Sequence, residues 1–330
     1  MKINKILLKK FLKKQYGIKV KRIKEIPLGE MSYTAILNSE EKQFFLKIIN
    51  MNKYGQGIAK GLNITLRVNF DLFSKAGIQN ISYPIPTIKR KLKTKFMRNP
   101  LIIYEYISGR TEGNWKLNKK EAYNFGKLIG SVHKSINLVD VDGLNKENFN
   151  APPHYEKCLI NNLKRLEKNN LLKKLISRRI IMNLLIKAKG LKNRLEKKDF
   201  VLCHGDAIGE NMIVEKNEVF LIDWDGVGSN LREKDLWLHS NNNIQSILKG
   251  YKKSYGKFKL NKNALIFYMY DRLLEDLSEY LDKFLLDSDK HALKEIKEYI
   301  LVSLKKLNSR KKQLTEIAEN WNKKGKFLKK

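Results

Sequence analysis

The sequence predicts an α+β fold with two lobes, a small antiparallel β-rich N-terminal lobe and a larger, mostly helical C-terminal lobe. Three observations lead to this prediction. The first third of the chain alternates short runs of β-branched and aromatic residues with turn residues. Beyond residue 106, long stretches rich in Leu and Lys have helical spacing. The length of 330 residues suits two compact lobes, which we assign to residues 1–105 and 106–330.

The elements of the N-terminal lobe are predicted from their periodicity and their turns. Apolar residues at helical spacing within residues 3–12 indicate an amphipathic first helix. Four strands are expected in this lobe, at residues 18–26, 33–37, 43–49 and 101–106. The first three are joined by connections that are short enough for an antiparallel meander. A helix over residues 58–75 ends at Gly77, which is a helix stop signal.

The C-terminal lobe is predicted to be helical apart from one compact segment. Helical spacing extends over residues 118–137 and 155–198, and again from residue 236 to the end. The segment that begins at residue 200 instead alternates short apolar runs with polar turns, which predicts short strands.

The composition excludes several classes of protein. A chain with 42% hydrophobic and 10% aromatic residues is not intrinsically disordered. Its two cysteines, Cys158 and Cys203, exclude a disulfide scaffold and a paired-cysteine zinc site, and they fit a reducing cytoplasm. The sequence has no apolar run of about 18 residues, so no membrane span is expected and we predict a cytoplasmic protein.

The net charge of +33 raises the question of an anionic partner. Most of the cations are Lys, and they are scattered along helical stretches instead of forming one block. Zinc-finger, basic-zipper and RNP-like patterns are absent from the sequence. We therefore expect neither nucleic acid nor a membrane as a partner, and a basic nucleic-acid-associated protein stays as an alternative.

One motif carries most of the chemical information. His204, Asp206 and Asn211 have the His-x-Asp-x-x-x-x-Asn spacing of the catalytic loop of protein kinases. Asp223 follows twelve residues after Asn211. Between them, the polar residues 215–218 join two apolar runs, which predicts a hairpin that brings Asn211 and Asp223 to the same end of two paired strands.

These residue types suit phosphoryl transfer. The reaction needs an acceptor hydroxyl and neutralised phosphate oxygens. A carboxylate beside the hydroxyl orients it and accepts its proton, for which Asp206 is the candidate. An amide oxygen and a second carboxylate, those of Asn211 and Asp223, are candidates to hold Mg²⁺. His204 is expected to be structural, and Asp and Asn also cap turns, but turn chemistry rarely produces three such residues in this order.

Three short segments resemble the aminoglycoside phosphotransferase and choline kinase-like superfamily. They are residues 202–211 (His-Gly-Asp with Asn), 222–226 (Ile-Asp-Trp-Asp-Gly) and 232–237 (Arg-Glu-Lys-Asp-Leu-Trp). The last two are most similar to the branch that contains spectinomycin phosphotransferases. The resemblance implies a protein-kinase-like fold in which Asp206 is the catalytic base and Asn211 and Asp223 bind Mg²⁺.

The resemblance also implies a nucleotide site for ATP, with GTP as an alternative. Lys47, inside the third predicted strand, would contact the α- and β-phosphates. Ser32, in a turn over residues 29–33, would donate a hydrogen bond to the phosphates. The hinge residues that would meet the adenine are Tyr104, Glu105 and Tyr106. One departure stands out, because residues 57–75 contain no Glu to hold the lysine as in protein kinases.

The acceptor is predicted less specifically. Asp271, Glu275 and Asp276 lie close together on one predicted helix, and carboxylates would suit a cationic acceptor. A solvated helix face is the alternative. We predict transfer from ATP with Mg²⁺ to a hydroxyl of an aminoglycoside or aminocyclitol antibiotic. The alternatives are a kinase for choline, homoserine, thiamine or methylthioribose, and a degenerate kinase fold that only binds.

Overall fold

The computed structural model describes residues 3–26, 32–51, 53–111, 116–168, 177–196, 198–240, 243–287 and 290–324. Of the turn predicted over residues 29–33, residues 29–31 therefore lie outside the described residues. The described helices are α1 (Lys5–Tyr16), α2 (Lys53–Ser74), α3 (Lys119–Lys134), α4 (Glu156–Lys168), α5 (Arg178–Lys192), α6 (Glu233–Leu236), α7 (Ile244–Tyr255), α8 (Lys262–Asp287) and α9 (Lys290–Lys324). None of them is long and apolar enough to cross a membrane.

The described strands are short, and half of them belong to one sheet. They are β1 (Arg22–Ile26), β2 (Ser32–Asn38), β3 (Gln43–Ile49), β4 (Thr94–Phe96), β5 (Asn99–Glu105), β6 (Arg110–Thr111), β7 (Phe200–Cys203), β8 (Met212–Glu215), β9 (Glu218–Leu221) and β10 (Gly228–Leu231). The first five form an antiparallel sheet in the order β1-β2-β3-β5-β4, and β6, β8 and β9 form a second sheet. An antiparallel sheet with many helices confirms the predicted α+β class.

The described chain divides into two compact units. The first contains residues 1–146, 201–229 and 242–256, and the second contains residues 147–200, 230–241 and 257–330. The two units are defined by contacts between residues and do not correspond to the two predicted lobes. The lobe boundary predicted after residue 105 therefore stays a prediction.

In the first unit, the five-stranded sheet has a core on each face. Helix α1 buries Leu8 and Leu12 against alternate residues of β3 and β5, among them Leu46 and Leu101. Helix α2 buries its own leucines against residues of the opposite parity, such as Ile102. This alternation follows from the two-residue repeat of a strand. It fixes the direction of the side chains of β3, including that of Lys47.

Helices α3 and α7 of the first unit pack so closely that a glycine is required at their contact. A Cβ atom built on Gly126 would lie 2.0 Å from the Ile247 carbonyl oxygen, a distance that real Cβ atoms do not show. Backbone oxygen cannot rotate away as the end of a side chain can. The two helices must therefore separate before any side chain fits at position 126.

We expect Gly126→Ala to lower the free energy of unfolding by about 1–3 kcal/mol, the range for overpacking a close contact. Gly190→Ala is the matched control, because Gly190 is also inside a helix, α5, and an added Cβ meets nothing within 4 Å there. We expect this control to be neutral or stabilising, since Ala favours a helix more than Gly does. Urea unfolding of both variants measures the difference, and equal effects would contradict the close contact.

The second unit is mostly helical. Helix α8 is central, and α4, α5 and α9 all pack against it. Its buried side chains include Phe267, Leu274 and Leu281. Helix α8 carries the three acidic residues that the sequence analysis proposed for the acceptor.

Candidate active site

The hairpin predicted between Asn211 and Asp223 is present and places both residues at one end. Strands β8 and β9 pair antiparallel, with Met212 opposite Leu221. Beyond that pair, the Ile222 N–H donates to the Asn211 carbonyl oxygen at 3.0 Å. Asn211 and Asp223 therefore lie at the same end of the hairpin, as the sequence predicts.

The loop between β7 and β8 joins Asp206 to Asn211. The Asn211 Nδ2 group donates to the Asp206 Oδ2 atom and to the Asp206 carbonyl oxygen, each at 2.9 Å. Because Nδ2 is engaged with Asp206, the amide oxygen of Asn211 is the atom left to coordinate a cation. The side-chain bond also holds the Asp206 carboxylate in one orientation.

A close approach of two backbone segments fixes the position of this loop. Gly205 has a φ of +87°, and a Cβ atom there would lie 2.1 Å from the Gly226 carbonyl oxygen. His204 is fully buried, its Nε2 atom lies 3.0 Å from the Ile222 carbonyl oxygen, and its ring lies 4.6 Å from that of Trp224. The loop that contains Asp206 is thus tied directly to the segment that contains Asp223.

Lys47 joins the sheet of the first unit to the same segment. Its Nζ atom lies 2.8 Å from Asp225 Oδ2 and 3.0 Å from Asp223 Oδ1, and only 13% of its side chain is exposed. Burial disfavours the charge of Lys47, but the two carboxylates outweigh burial and raise the pKa of the ammonium group. Lys47 is therefore a cation at any physiological pH.

The two carboxylates at Lys47 differ in their ionisation. About half of the Asp223 side chain is removed from water, which opposes its charge, but Lys47 outweighs this effect and lowers the pKa of Asp223. Burial and the neighbouring Asp223 raise the pKa of Asp225. Asp223 also has a φ of 60°, in the left-handed region that non-glycine residues rarely adopt. Strain of this kind is often found at functional sites.

Asp223 and Asp225 hold Lys47 in the way that a glutamate of the following helix does in protein kinases, and residues 57–75 contain no glutamate. Among the described residues, the ion-pair partners of Lys47 are Asp223 and Asp225, and neither lies on α2. From the sequence, Asp223 is singled out as a candidate Mg²⁺ ligand, while Asp225, the second aspartate of the Asp-Trp-Asp segment at 223–225, is expected to be structural.

The predicted nucleotide residues lie on or next to strands β2 and β5. Ser32 lies in β2, opposite Ile49 of β3, and not in the turn predicted over residues 29–33. Tyr104 lies on β5 opposite Phe45, and burial raises the pKa of its hydroxyl. The Glu105 carboxylate forms an ion pair with Lys42 at 3.1 Å. The backbone N–H of Glu105 donates a hydrogen bond to the Tyr83 carbonyl oxygen at 3.1 Å. Tyr106 follows directly after β5 and is half-buried.

In the second unit, two of the predicted acceptor residues face the segment before α4. Asp271 Oδ1 accepts a hydrogen bond from the Tyr155 hydroxyl at 2.7 Å, and burial raises the pKa of Asp271 to about 6. Glu275 Oε1 lies 3.1 Å from His154 Nε2. Burial opposes the charge of Glu275, but His154 outweighs it and lowers the pKa of the carboxyl.

The third predicted acceptor residue is engaged differently. The Asp276 carboxylate pairs with Arg272 Nε at 2.7 Å, one turn earlier on α8, and it accepts a hydrogen bond from the Tyr299 hydroxyl. Arg272 therefore balances its charge within α8, and Tyr299 of α9 engages its other oxygen. The structure brings Asp271 and Glu275 together with His154 and Tyr155, which no sequence signal indicated.

Comparison with known proteins assigns the chain to a class of enzyme. Residues 69–263, more than half of the chain, match the sequence profile of the phosphotransferase enzyme family, APH. The chain belongs to this phosphotransferase enzyme family. This membership confirms the predicted enzyme class, a phosphotransferase of the small-molecule kinase type.

Several solved structures share the fold over nearly the whole chain. Spectinomycin phosphotransferase APH(9)-Ia, solved with ADP and spectinomycin, is 22% identical with a TM-score of 0.70, over 90% of this chain and 95% of that chain. APH(2")-IIia, solved with GDP and kanamycin, is 14% identical with a TM-score of 0.65, over 90% and 98%. Amicoumacin kinase hAmiN, solved with AMP-PNP, Ca²⁺ and Ami, is 14% identical with a TM-score of 0.62, over 90% and 94%.

These similarities establish the bilobal, protein-kinase-like α+β fold and agree with the predicted spectinomycin phosphotransferase branch. A search of curated protein sequences finds no significant match.

Proposed function

We propose that this chain transfers the γ-phosphate of ATP, with Mg²⁺, to a hydroxyl of an aminoglycoside or aminocyclitol. One observation carries the proposal, the continuous series of contacts from Asp206 through Asn211 and the hairpin end to Asp223 and Lys47. A proton acceptor, oxygen ligands for a cation and a phosphate-binding cation are the parts that phosphoryl transfer needs side by side.

Asp206 would act as the general base in this reaction. Its carboxylate would accept the proton of the acceptor hydroxyl as that oxygen attacks phosphorus. The hydrogen bond from Asn211 Nδ2 to Asp206 Oδ2 holds the carboxylate in one orientation, so that it would meet the hydroxyl without first rearranging. The close contact of Gly205 with the Gly226 carbonyl keeps the loop in place, so that little reorganisation is needed during the reaction.

The donors at the end of the hairpin fit Mg²⁺, which prefers hard oxygen ligands and takes few of them from the protein. Asn211 and Asp223 would hold the ion. Asp223 is ionised because Lys47 lowers its pKa, and 47% of its side chain is exposed and so within reach of a ligand. When bound, Mg²⁺ supplies neutralisation of the phosphate oxygens.

The nucleotide would lie along the sheet of the first unit, within residues 1–105. Lys47 would contact the α- and β-phosphates, and Ser32 would donate a hydrogen bond near them. The hinge would consist of Tyr104, Glu105 and Tyr106. Because the Glu105 N–H is bonded to the Tyr83 carbonyl, an adenine would take its backbone hydrogen bond from a residue after Glu105.

The acceptor class is supported by charge. The related enzymes named above were solved with spectinomycin and kanamycin, and such amines are cations at neutral pH. Asp271 and Glu275, which are half-buried in a chain of net charge +33, would attract an ammonium group. Asp276 would support them less directly, because Arg272 already balances its charge. We place the enzyme in the cytoplasm, where ATP is plentiful.

Two measurements test this function. The first is thermal unfolding with ATP in the presence of Mg²⁺ or of EDTA, where a ligand of the native state raises Tm. The second is ADP release with a panel of spectinomycin, kanamycin, choline, homoserine, thiamine and methylthioribose, repeated with GTP in place of ATP. Turnover of an antibiotic supports the proposal. Turnover of choline or another metabolite alone changes the acceptor class, and no Tm shift with any Mg-nucleotide contradicts a working kinase.

The role of Lys47 leads to a separate prediction. We expect Lys47→Ala to raise the KM for ATP about 10- to 100-fold, because a hydrogen bond to a charged group contributes about 1.5–3 kcal/mol. Lys24→Ala is the control, since Lys24 lies exposed on β1 of the same sheet. Steady-state kinetics with varied ATP measure the effect. An unchanged KM and kcat in Lys47→Ala would show that the phosphates lie elsewhere.

A further inference from the structure

Two stretches of the chain contain no acidic residue. Residues 1–24 contain ten Lys and Arg and residues 72–104 contain seven, with no Asp or Glu in either. If the 34 acidic residues of the chain were evenly spread, stretches of this combined length would hold about six of them. The general enrichment in lysine does not explain this absence of acidic residues.

The fold brings the two stretches side by side in the first unit. Phe11 of α1 packs edge-to-face against Phe96 of β4, with ring centroids 5.1 Å apart. The Ile88 N–H donates to the Gln15 carbonyl at 2.9 Å, so the turn over residues 87–91 lies against the C-terminal end of α1. Positive charges that are distant in the sequence are therefore neighbours on the surface.

This surface also exposes apolar side chains. We define the basic face by the apolar residues Ile6, Leu7, Ile88 and Met97 and the cations Lys10, Lys13, Lys14, Lys89, Arg90 and Arg98. The four apolar side chains are 53–68% exposed. Within the part of the chain that the structure describes, none of the six cations is ion-paired with a carboxylate. The face thus combines uncompensated charge with exposed aliphatic surface.

The tip of the β4–β5 hairpin belongs to this face and is strained. Phe96 pairs with Asn99, so Met97 and Arg98 form a two-residue turn, with φ of 48° and 68°. Turns of this type favour Asn-Gly, because both central residues need a positive φ. Met and Arg at these positions adopt a disfavoured backbone conformation and expose both side chains. Strain of this kind is a reason to look for a function at the tip.

We propose that the basic face binds the surface of an anionic lipid bilayer. Aliphatic side chains surrounded by lysines suit the bilayer interface, where the apolar groups enter the acyl boundary and the ammonium groups meet the anionic headgroups. Single-stranded RNA is instead held by aromatic side chains on which bases stack. Two aromatic residues that adjoin this face in the sequence, Phe11 after Lys10 and Phe96 before Met97, pack against each other. Binding is peripheral, because no described helix could cross the bilayer.

The test is co-sedimentation of the full chain with lipid vesicles at physiological salt. One set of vesicles contains phosphatidylglycerol and phosphatidylcholine in equal parts, and the other contains phosphatidylcholine alone. A parallel titration with polyuridylate measures binding to RNA at the same salt. We expect binding to the anionic vesicles, none to the neutral ones, and weaker binding to the RNA.

Two variants remove the face without touching the core. Lys10→Gln/Lys13→Gln/Lys14→Gln removes three exposed charges from α1 and is expected to weaken binding to anionic vesicles about 100-fold. Met97→Asn/Arg98→Gly removes an apolar side chain and a cation from the tip. This change should weaken binding and also raise Tm, because Asn-Gly relieves the strain in the turn. Loss of binding in this variant cannot be ascribed to unfolding.

The matched control is Lys305→Gln/Lys306→Gln/Lys311→Gln, which removes the same charge from exposed positions of α9. We expect this variant to bind anionic vesicles as the unaltered chain does. Equal weakening in the α1 variant and this control would mean that net charge alone drives binding, and would overturn the proposal. Absence of binding to anionic vesicles would overturn it as well, and so would tighter binding to polyuridylate than to vesicles.

Discussion

Replacing Asp206 by Asn is expected to lower kcat by about 10²- to 10⁴-fold, the usual contribution of a general base. The Asn side chain can still accept the hydrogen bond from Asn211 Nδ2 through its amide oxygen, so the loop should keep its shape. It cannot accept a proton from the acceptor hydroxyl. The KM for ATP should change little, because the ammonium group proposed to contact the phosphates, that of Lys47, is ion-paired with Asp223 and Asp225. ADP release under saturating ATP and acceptor measures the effect.

Asp199→Asn is the control for this change. Asp199 is exposed and has a φ of 63°, a conformation that Asn tolerates. The control should keep full activity, and both variants should have an unchanged Tm. If Asp206→Asn retained kcat within a few-fold of the unaltered enzyme, the base would have to be another group, and the motif that begins at His204 would be structural only.

Replacing Asp223 by Asn is expected to abolish the gain in ATP affinity that Mg²⁺ provides. Asn is chosen because the φ of 60° at this position would strain Ala. A bound cation contributes several kcal/mol to such sites, so the affinity for ATP with Mg²⁺ should fall about 100-fold or more. Calorimetric titrations of ATP with Mg²⁺ and with EDTA measure the two affinities, which should become equal in the variant.

The variant Asp225→Asn distinguishes the proposed binding of the metal by Asp223 from the proposed positioning of Lys47 by Asp225. Asp225 contacts Lys47 at 2.8 Å, and Asp223 lies 3.0 Å from the same ammonium group. If Asp223 holds the cation and Asp225 positions the lysine, Asp225→Asn should weaken ATP binding and still leave it dependent on Mg²⁺. A complete loss of Mg²⁺ dependence in Asp225→Asn, with retention in Asp223→Asn, would exchange the two roles.

The sequence alone predicted the local parts of the site. The polar turn at 215–218 between two apolar runs indicated the β8–β9 hairpin, and the structure confirms that it brings Asn211 and Asp223 to one end. Such contacts are set by a few neighbouring residues, and the periodicity of a strand reports them directly. The meander of β1, β2 and β3 could be predicted for the same reason.

Contacts between distant parts of the chain could not be predicted. Lys47 and Asp225 are separated by 178 residues, and Tyr155 and Asp271 by 116. Nothing in the pattern around either residue specifies its partner, because packing of the intervening elements decides which side chains meet. The roles of Asp206, Asn211 and Asp223 stay predictions that the variants above test.

Strand β4 was missed for a different reason. It has only three residues, Thr94–Phe96, and lies at the edge of the sheet among lysines. Edge strands are commonly short and charged, since this discourages pairing with other chains. A pattern of this kind does not resemble a buried strand. The basic face could not be predicted from the sequence either. The sequence shows two separate lysine-rich stretches, and only the fold makes them adjacent.

Each of the two compact units consists of three separate stretches of the chain, and this limits where the protein can be cut into fragments. The backbone passes from one unit to the other five times, and the first unit is completed only by residues 242–256. A fragment that ends at residue 146 would contain α3 without α7, and the surface around Gly126 that normally meets Ile247 would be bare. An exposed apolar helix face promotes aggregation. A fragment that ends anywhere before residue 256 would therefore lack part of both units, and expression trials should keep the chain whole.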